Sequence, residues 1–321
     1  MLNLKKVYSL FAALSLVMME LLFAGCDAEK PAEADKKPLK IIKIAYLPIT
    51  HALPLFAERE LETPEGPIKV ELIKYGSWPE LMDALNTGKV DGASVLIELA
   101  VKAREQGIDV KAAALGHKDG NAIIVSPDIH LVEDLRGTTI AIPHKQSTHK
   151  LLLDQLLADH GMTEQDVNVV ELSPPEMPSA LAQGQIAGYC VAEPFGAKSV
   201  LLQTGKVLAR TEDLWPDSLC CALVFNGDYL IKNHDTAELF VNNYQKAGNY
   251  LTEHMDEQKR IAKKYLKAKD DVIDLSLQWI SYKDLRISRA AYDDLCKRMV
   301  AANLLQDIPA YDEFVDSSLL K

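Results

Sequence analysis

The 321-residue chain lacks an excess of positive charge and lacks the short motifs of the common enzyme classes. Its net charge of −11 at pH 7 argues against nucleic acid, and against anionic lipid bound by charge, as partners. No H-E-x-x-H, G-x-S-x-G or P-loop pattern occurs. Beyond the first 25 residues there is no apolar run long enough to span a membrane. The absent motifs argue against an enzyme, while 321 residues with 48% hydrophobic content indicate a globular protein of about two domains.

Cysteine is scarce, and none of the five cysteines has C-x-x-C spacing. We therefore expect no metal site and no cofactor. Adjacent Cys220 and Cys221 should point to opposite faces if their segment is a strand. Two alternatives remain for Cys190, Cys220, Cys221 and Cys296: all are buried free thiols, or Cys190 pairs with one of the others in an exported protein.

The N-terminus has the pattern of a signal peptide over residues 1–25. Lys5 and Lys6 precede an apolar run from Val7 to Phe23, followed by small residues and Cys26. The LFAGC segment resembles the bacterial lipobox, which implies lipidation of Cys26; the alternative is an ordinary signal peptide with an incidental cysteine. Residues 26–38 are charged and rich in proline and alanine, and they predict a flexible tether.

One sequence segment is repeated in similar form 96 positions further along the chain. PELMDALNTGKVDGASV begins at Pro79 and PEMPSALAQGQIAGYCV at Pro175, with seven of the seventeen positions identical. Each copy predicts a helix opened by proline, stopped by Gly88 or Gly184, and followed by a buried strand. A further strand and helix precede each copy, with T-H at residues 50–51 and 148–149 near the helix start. The duplication predicts two α/β lobes with parallel sheets and a cleft between them.

The domain boundaries follow from the strand-like and helical patterns. We predict lobe 1 over residues 39–127 and 220–321, and lobe 2 over residues 128–219. From Asp228 onward the spacing of apolar residues predicts helices, which should pack on lobe 1. Crossovers near residues 125–136 and 215–220 would form a hinge.

Candidate binding residues lie where parallel strands end and helices begin, because free N–H groups meet there. They are Thr50, His51, Ser77, Trp78, Ser94, Gln146, Ser147, Thr148, His149, Glu193 and Pro194.

For several of these residues a structural role is an equal alternative. The hydroxyl groups can cap helices instead of binding a ligand. The two histidines can contact a ligand or lie solvated on loops. Trp78 can line the cleft or pack in the core, and Glu193 can cap the helix that follows it.

Four segments together resemble one protein family: GYCVAEPFGAKSV, DGASV, YLPITHALPLF and the helix start at residues 147–149. It comprises the solute-binding proteins of bacterial ABC importers for nitrate, bicarbonate, taurine and other sulfonates, and thiamine pyrimidine precursors. The resemblance implies a two-lobe type II periplasmic-binding fold that closes on its ligand and docks on a membrane permease. It implies that residues 47–51, 77–78, 146–149 and 193–194 face the ligand. Ser94 stands where nitrate-binding relatives place histidine.

From the residues and the resemblance together we expect a monomeric, non-enzymatic capture protein. Its ligand would be a small solute, with a sulfonate-, taurine- or nitrate-like oxyanion favoured. The alternatives are binding of a thiamine pyrimidine precursor, or an enzyme of the same fold of the menaquinone-pathway or pyrimidine-forming type. The leader implies a location in the cell envelope, in the periplasm or on the outer face of the cytoplasmic membrane, held by the lipid anchor.

Overall fold

The computed structural model describes residues 39–321. The predicted signal peptide, the predicted lipidation site Cys26 and the predicted tether lie outside these described residues. Across the described span, no helix has the length and apolar character needed to cross a bilayer. The strands are β1 Lys40–Tyr46, β2 Ile68–Lys74, β3 Gly92–Leu96, β4 Val110–Leu115, β5 Lys118–Asp119, β6 Asn121–Val125, β7 Thr139–Ile142, β8 Asn168–Glu171, β9 Gly188–Ala192, β10 Lys206–Arg210, β11 Cys221–Asn226 and β12 Ile280–Ser281.

The α-helices alternate with the strands up to residue 214 and then dominate the chain. They are α1 Leu53–Leu61, α2 Trp78–Asn86, α3 Ile97–Glu105, α4 Thr148–Asp159, α5 Met177–Ala182, α6 Phe195–Leu201, α7 Thr211–Leu214, α8 Gly227–Glu253, α9 Met255–Leu266, α10 Asp270–Ser276, α11 Arg289–Ala301 and α12 Tyr311–Phe314. A 3-10 turn, Thr50–Ala52, leads into α1.

The sequence duplication is present in the strand pairing. β1 pairs in parallel with β2 and β3, and β7 pairs in parallel with β8 and β9. Ile44 lies opposite Gly92 in the first set, and Ile140 lies opposite Gly188 in the second. Both partners are displaced by the same 96 positions, so the predicted repeat and its parallel β-α-β units are confirmed.

Two five-stranded sheets define the two lobes. Lobe 1 contains the sheet β2-β1-β3-β11-β4, and lobe 2 contains the sheet β8-β7-β9-β6-β10. In each sheet the fourth strand runs antiparallel to the third, and it reaches its sheet from the other lobe. The chain therefore crosses between the lobes twice, as the prediction of two crossovers requires.

The first crossover lies earlier than the sequence indicated. We expected NAIIVS to belong to lobe 1, but β6 pairs with β9 and β10 in lobe 2. The crossing segment is residues 116–120, after β4, instead of residues 125–136. A strand buried on both faces has no alternation of apolar and polar residues. The sequence pattern of β6 therefore could not indicate which of the two sheets it joins. The second crossover, residues 215–220, lies where it was predicted.

The C-terminal helices contact both lobes. The long helix α8 packs against α1 of lobe 1, and α12 packs against β4 of the same lobe. α10 instead packs against α6 of lobe 2, where the Ser276 hydroxyl donates to the Glu193 carboxylate at 2.9 Å. The helical character after Asp228 is confirmed, whereas packing on lobe 1 alone is not.

Gly88 and Gly184 end corresponding helices, α2 and α5, one residue beyond the cap. Their φ angles are +69° and +67°, in the left-handed region that the sequence pattern predicted for both. A Cβ added at Gly184 would have no heavy atom within 4 Å, so only the backbone conformation demands glycine there.

We predict that Gly184→Ala lowers the free energy of unfolding by about 1 kcal/mol, the cost of placing a Cβ in the left-handed region. Urea denaturation measures the change. Gly76→Ala is the matched control, because Gly76 does not have a φ in that region and its Cβ would meet only a Glu80 carboxylate oxygen at 3.8 Å. Equal stability of the Gly184 variant and the wild type would contradict the assignment.

Candidate functional site

Polar side chains from both lobes and both crossovers meet in a fully buried region, which we call the buried junction. Each of its side chains is at most 2% exposed. The junction comprises Thr50, His51, Glu98, His117, Asn121, Thr148, His149, Glu193, Cys220 and Cys221. Burying so many polar groups is costly unless each finds a partner, so their contacts decide what the region can bind.

Thr50 connects the two lobes. Its backbone N–H and its hydroxyl both donate to the carbonyl oxygen of Glu193, at 2.9 and 3.0 Å. Its own carbonyl accepts from the Tyr282 hydroxyl at 2.9 Å. Thr50 therefore has a structural role at the point where the chain leaves β1 and meets the chain leaving β9.

Thr148, at the start of α4 in lobe 2, makes a second contact across the junction. Its hydroxyl lies 2.8 Å from the carbonyl oxygen of Leu219 and is also hydrogen-bonded to the Glu98 carboxyl group. Burial raises the pKa of Glu98 well above its usual value, and the nearby Cys220 thiol adds to the effect. A protonated Glu98 can donate to Thr148 while Thr148 donates to Leu219, which gives the Thr148 hydroxyl and one Glu98 oxygen their partners.

His51, His117, Cys220 and Cys221 form a compact cluster in which one donor atom from each lies within 4.8 Å of the others. The His51 Nδ1 atom is 3.4 Å from the Cys221 sulfur and 3.8 Å from the Cys220 sulfur. The two imidazole rings are stacked, with centroids 3.4 Å apart. We call these four residues the His-Cys cluster.

The charge state of the cluster follows from its burial. Burial, together with the nearby His51, lowers the pKa of His117 to about 4, so the His117 ring is neutral. Burial opposes ionisation of Cys220 as well, but the Cys221 thiol and the two histidines hold the pKa of Cys220 well below its usual range. Burial raises the pKa of Cys221. The cluster thus offers a neutral His117 imidazole beside one readily ionised thiol, that of Cys220.

The expectation that the two adjacent cysteines point to opposite faces applied to a strand, and only Cys221 of the pair lies in one. Their sulfur atoms are 4.0 Å apart. The reason is that β11 begins only at Cys221, and Cys220 precedes the strand where side chains need not alternate. Within residues 39–321, Cys190, Cys220, Cys221 and Cys296 are all buried thiols without a disulfide, which is the first of the two alternatives considered for them.

Several polar atoms of the junction have no hydrogen-bond partner among residues 39–321. They are both ring nitrogens of His149, Nδ2 of Asn121 and one carboxyl oxygen of Glu98. Burial lowers the pKa of His149 to about 4, and Cys220, His51 and His117 lie close enough to influence it. A neutral His149 in lobe 2 therefore faces the His-Cys cluster with one donor and one acceptor unused.

The remaining predicted site residues lie on the surrounding loops. Ser147 caps α4, with its hydroxyl accepting from the Lys150 N–H at 3.3 Å. Half-buried Gln146 precedes it, and its N–H donates to the His144 ring. Ser77 occupies the cap position of α2 without a side-chain hydrogen bond. Ser94 is buried within β3, opposite Leu223.

Trp78 and Pro194 are both buried. Trp78 is 3% exposed and packs in the larger apolar core, while its ring N–H has no acceptor in the described part of the chain. Pro194 lines a pocket of about 250 Å³ between α6 and the α9–α10 region. The geometry therefore brings together Thr50, His51, Thr148, His149 and Glu193, and it gives Ser77 and Ser147 the cap positions.

A small pocket of about 150 Å³ lies where the two lobes meet at the surface. Lobe 1 contributes residues 47–49 and 74–76 to its wall, and lobe 2 contributes Pro174, Pro175 and Phe195. Of these lining residues, 47–49 directly precede Thr50 and Phe195 directly follows Pro194 along the chain.

Sequence reasoning missed His117, Glu98, Asn121 and the binding potential of the cysteine pair. His117 and Cys220 lie on the two crossovers, where no periodicity fixes the direction of a side chain. One signal was available. The LGHKDGN segment has a histidine between glycines and two apolar runs, and the paired cysteines lie in the other crossing segment.

Two mixed sheets joined by two crossovers, with polar groups enclosed between them, define a two-lobe binding protein of the periplasmic-binding type. A family model described as the NMT1-like family matches residues 35–266. The chain therefore belongs to the NMT1-like family.

The solved structures and curated relatives agree with this assignment. A ligand-binding component of an ABC-type import system from Staphylococcus aureus, determined with zinc bound, is 40% identical with a TM-score of 0.83, covering 87% of this chain and 97% of that one. A putative aliphatic sulfonates-binding protein of Bacillus subtilis is 28% identical, covering 75% of this chain and 74% of the relative. The predicted fold is confirmed.

A nitrate import ATP-binding protein of Synechocystis is 30% identical over 196 residues, covering 54% of this chain. The chain spans only 29% of that relative's length, and 39% of the length of a bicarbonate transport ATP-binding protein from the same organism.

Glu193 provides a test of the electrostatics of the junction. Burial raises the pKa of its carboxyl group from 4.5 to about 7, and its partners are the neutral N–H of Ala197 and the hydroxyl of Ser276. A raised pKa in the folded state stabilises the protein at low pH, and that stabilisation is lost as the pH rises through about 7. Glu193→Gln should remove the dependence. Between about pH 5 and about pH 8, the wild type should lose up to about 3 kcal/mol of unfolding free energy relative to the variant.

Urea denaturation at both pH values measures this difference, and Glu71→Gln on the exposed side of β2 controls for the loss of one carboxyl group. A stability difference between wild type and Glu193→Gln that does not change with pH would contradict the raised pKa.

Proposed function

We propose that the protein is the solute-binding component of an ABC importer, which encloses a small solute between its lobes and delivers it to a membrane permease. The observation that carries this proposal is the buried junction. Polar groups of both lobes face each other without access to water, and several of them have unused hydrogen-bonding capacity within residues 39–321. When the two lobes close around a solute, that solute supplies the missing hydrogen-bond partners.

The side chains of the buried junction limit how a solute can be bound there. Its ten residues include no lysine or arginine, so an oxyanion would be held by neutral donors such as the Asn121 amide and the His149 ring. Relatives are named for nitrate, bicarbonate and aliphatic sulfonates, and the Staphylococcus aureus structure holds zinc. An oxyanion remains our expectation from the sequence, and a metal cation is the second class that the comparisons suggest.

A capture protein returns its solute unchanged, whereas an enzyme of the same fold would convert it. Native mass spectrometry and elemental analysis of gently purified protein identify what it holds. Thermal shift with nitrate, taurine, bicarbonate, an alkanesulfonate and Zn²⁺ then measures binding, since a ligand specific to the folded state stabilises it. Consumption of the bound compound during incubation would favour the enzyme alternative.

We predict opposite stability effects for two neighbouring residues of the junction. His149→Leu removes two buried nitrogens that have no partner within residues 39–321, so it should raise the unfolding free energy of the solute-free protein by about 1 kcal/mol. Thr148→Val removes hydrogen bonds to Leu219 and Glu98, so it should lower that free energy by about 1 to 2 kcal/mol. If a solute of the panel binds the wild type, both variants should bind it with an affinity reduced about ten-fold or more.

Calorimetric titration and urea denaturation measure both quantities. His160→Leu, at the exposed end of α4, is the matched control. Loss of stability in His149→Leu together with unchanged affinity would show that His149 supports the fold and that the solute lies elsewhere.

We infer from the sequence that the mature chain begins at a lipidated Cys26 and is held at the outer face of the cytoplasmic membrane. Cys26→Ala removes the sulfur atom to which the lipid attaches. The variant should leave the membrane fraction, or retain its leader, and should lack the mass of the acyl chains. Membrane fractionation and intact-mass measurement check this, and an unchanged distribution and mass would contradict the anchor.

A further inference from the structure

We propose that the His-Cys cluster binds one transition-metal ion of the zinc class, with His51, His117, Cys220 and Cys221 as its four ligands. This inference rests on the proposed function and deepens it, because the ion would be the solute that the two lobes enclose. The cluster is the strongest candidate for such a site because its donors, their spacing and their supporting hydrogen bonds all favour the same kind of ion.

The donor set is two imidazole nitrogens and two cysteine sulfurs. Thiolate and imidazole ligands select zinc and similar soft or borderline ions, whereas magnesium and calcium require oxygen ligands. Cys₂His₂ is one of the established donor sets for tetrahedral zinc. The chemistry of the four side chains therefore excludes hard cations as the preferred occupant.

The spacing of the donor atoms matches a tetrahedron of that size. With Zn–S bonds of about 2.3 Å and Zn–N bonds of about 2.05 Å, a regular tetrahedron has S···S edges of about 3.8 Å and N···S edges of about 3.6 Å. The two sulfurs are 4.0 Å apart, and His51 Nδ1 lies 3.4 and 3.8 Å from them. An ion can therefore be coordinated with little movement of these three donors.

Both histidines are held in the tautomer that a metal ligand needs. The Nε2 atom of His51 lies 3.1 Å from the carbonyl oxygen of Gly120, and the Nδ1 atom of His117 lies 2.7 Å from the carbonyl oxygen of Asp119. Each of these nitrogens must carry the proton, because a carbonyl oxygen only accepts. The other nitrogen of each ring, His51 Nδ1 or His117 Nε2, keeps its lone pair, as in metal-bound histidine. His117 Nε2 accepts a long hydrogen bond of 3.4 Å from the Cys221 backbone N–H, which a bound ion would replace.

The position of the cluster relates metal binding to closure of the lobes. His51 and Cys221 belong to lobe 1, while His117 and Cys220 lie on the two crossovers. His149 of lobe 2 lies close enough to Cys220, His51 and His117 to be influenced by them, and it is 1% exposed with both nitrogens unpartnered among the described residues. The ion would bind first to lobe 1 and the crossovers, and His149 would then cover it when lobe 2 closes.

The test uses the full-length protein, reduced with a phosphine and freed of metal by a chelator. Zn²⁺ is titrated against a competing chromophoric chelator, and Co²⁺ serves as a spectroscopic probe. We expect one ion per chain, a thiolate-to-cobalt charge-transfer band, and X-ray absorption distances for zinc of about 2.3 Å to sulfur and about 2.0 Å to nitrogen. Cys220→Ser, Cys221→Ser and His51→Ala should each weaken Zn²⁺ binding at least 100-fold.

Cys296→Ser is the matched control, since Cys296 is an equally buried thiol on α11 that is not part of the cluster. Circular dichroism shows which variants fold, and the cobalt spectrum of the wild type identifies sulfur ligation without any variant. Zinc bound without sulfur ligands, or with equal affinity in Cys296→Ser and the cluster variants, would overturn the proposal.

A parallel titration with nitrate, taurine and an alkanesulfonate separates this inference from the proposed function. If one of these compounds binds and Zn²⁺ does not, the metal site is wrong while solute capture stands. If neither class binds and no small molecule copurifies, both proposals fail.

Discussion

Desolvation of polar groups between the lobes is the constraint on which the account depends. Hydrogen bonds across the junction satisfy most of the polar groups of Thr50, Glu193, Thr148 and Glu98. These bonds fix how the lobes meet. His149 and part of Asn121 have no such bonds within residues 39–321, so their burial costs free energy in the solute-free protein. A site that is imperfectly satisfied by itself gains affinity when a solute supplies the partners.

The duplicated sequence explains the walls of the cleft, and the crossovers explain its chemistry. β1–β3 and β7–β9 pair with the same register, so the loops that follow β1 and β7 present Thr50-His51 and Thr148-His149 at equivalent places. The residues that break this symmetry, His117 and Cys220, lie on crossing segments that neither repeat contains. The repeats thus build two similar surfaces, and the connections between them supply two of the four residues of the His-Cys cluster.

Much of the fold could be predicted because it depends on local periodicity and on the repeat. The helix ends at Gly88 and Gly184 and the helix start at Thr148 followed from spacing alone. The sheet to which β6 belongs could not be predicted, because the sequence of a wholly apolar strand does not indicate which strand it pairs with. The proximity of His51, His117 and the two cysteines depends on contacts between positions far apart in the chain, which a single sequence does not encode in any short pattern.

The most direct measurement of the central claim is the distance between the lobes with and without solute. Nitroxide labels at exposed Lys74 and Lys145, introduced through noncanonical residues to spare the native thiols, flank the cleft in lobe 1 and lobe 2. Pulsed dipolar spectroscopy should give a longer and broader distance distribution for the stripped protein, and a shorter and narrower one with each compound that calorimetry shows to bind. An identical distribution with and without such a bound compound would contradict closure of the lobes on a solute.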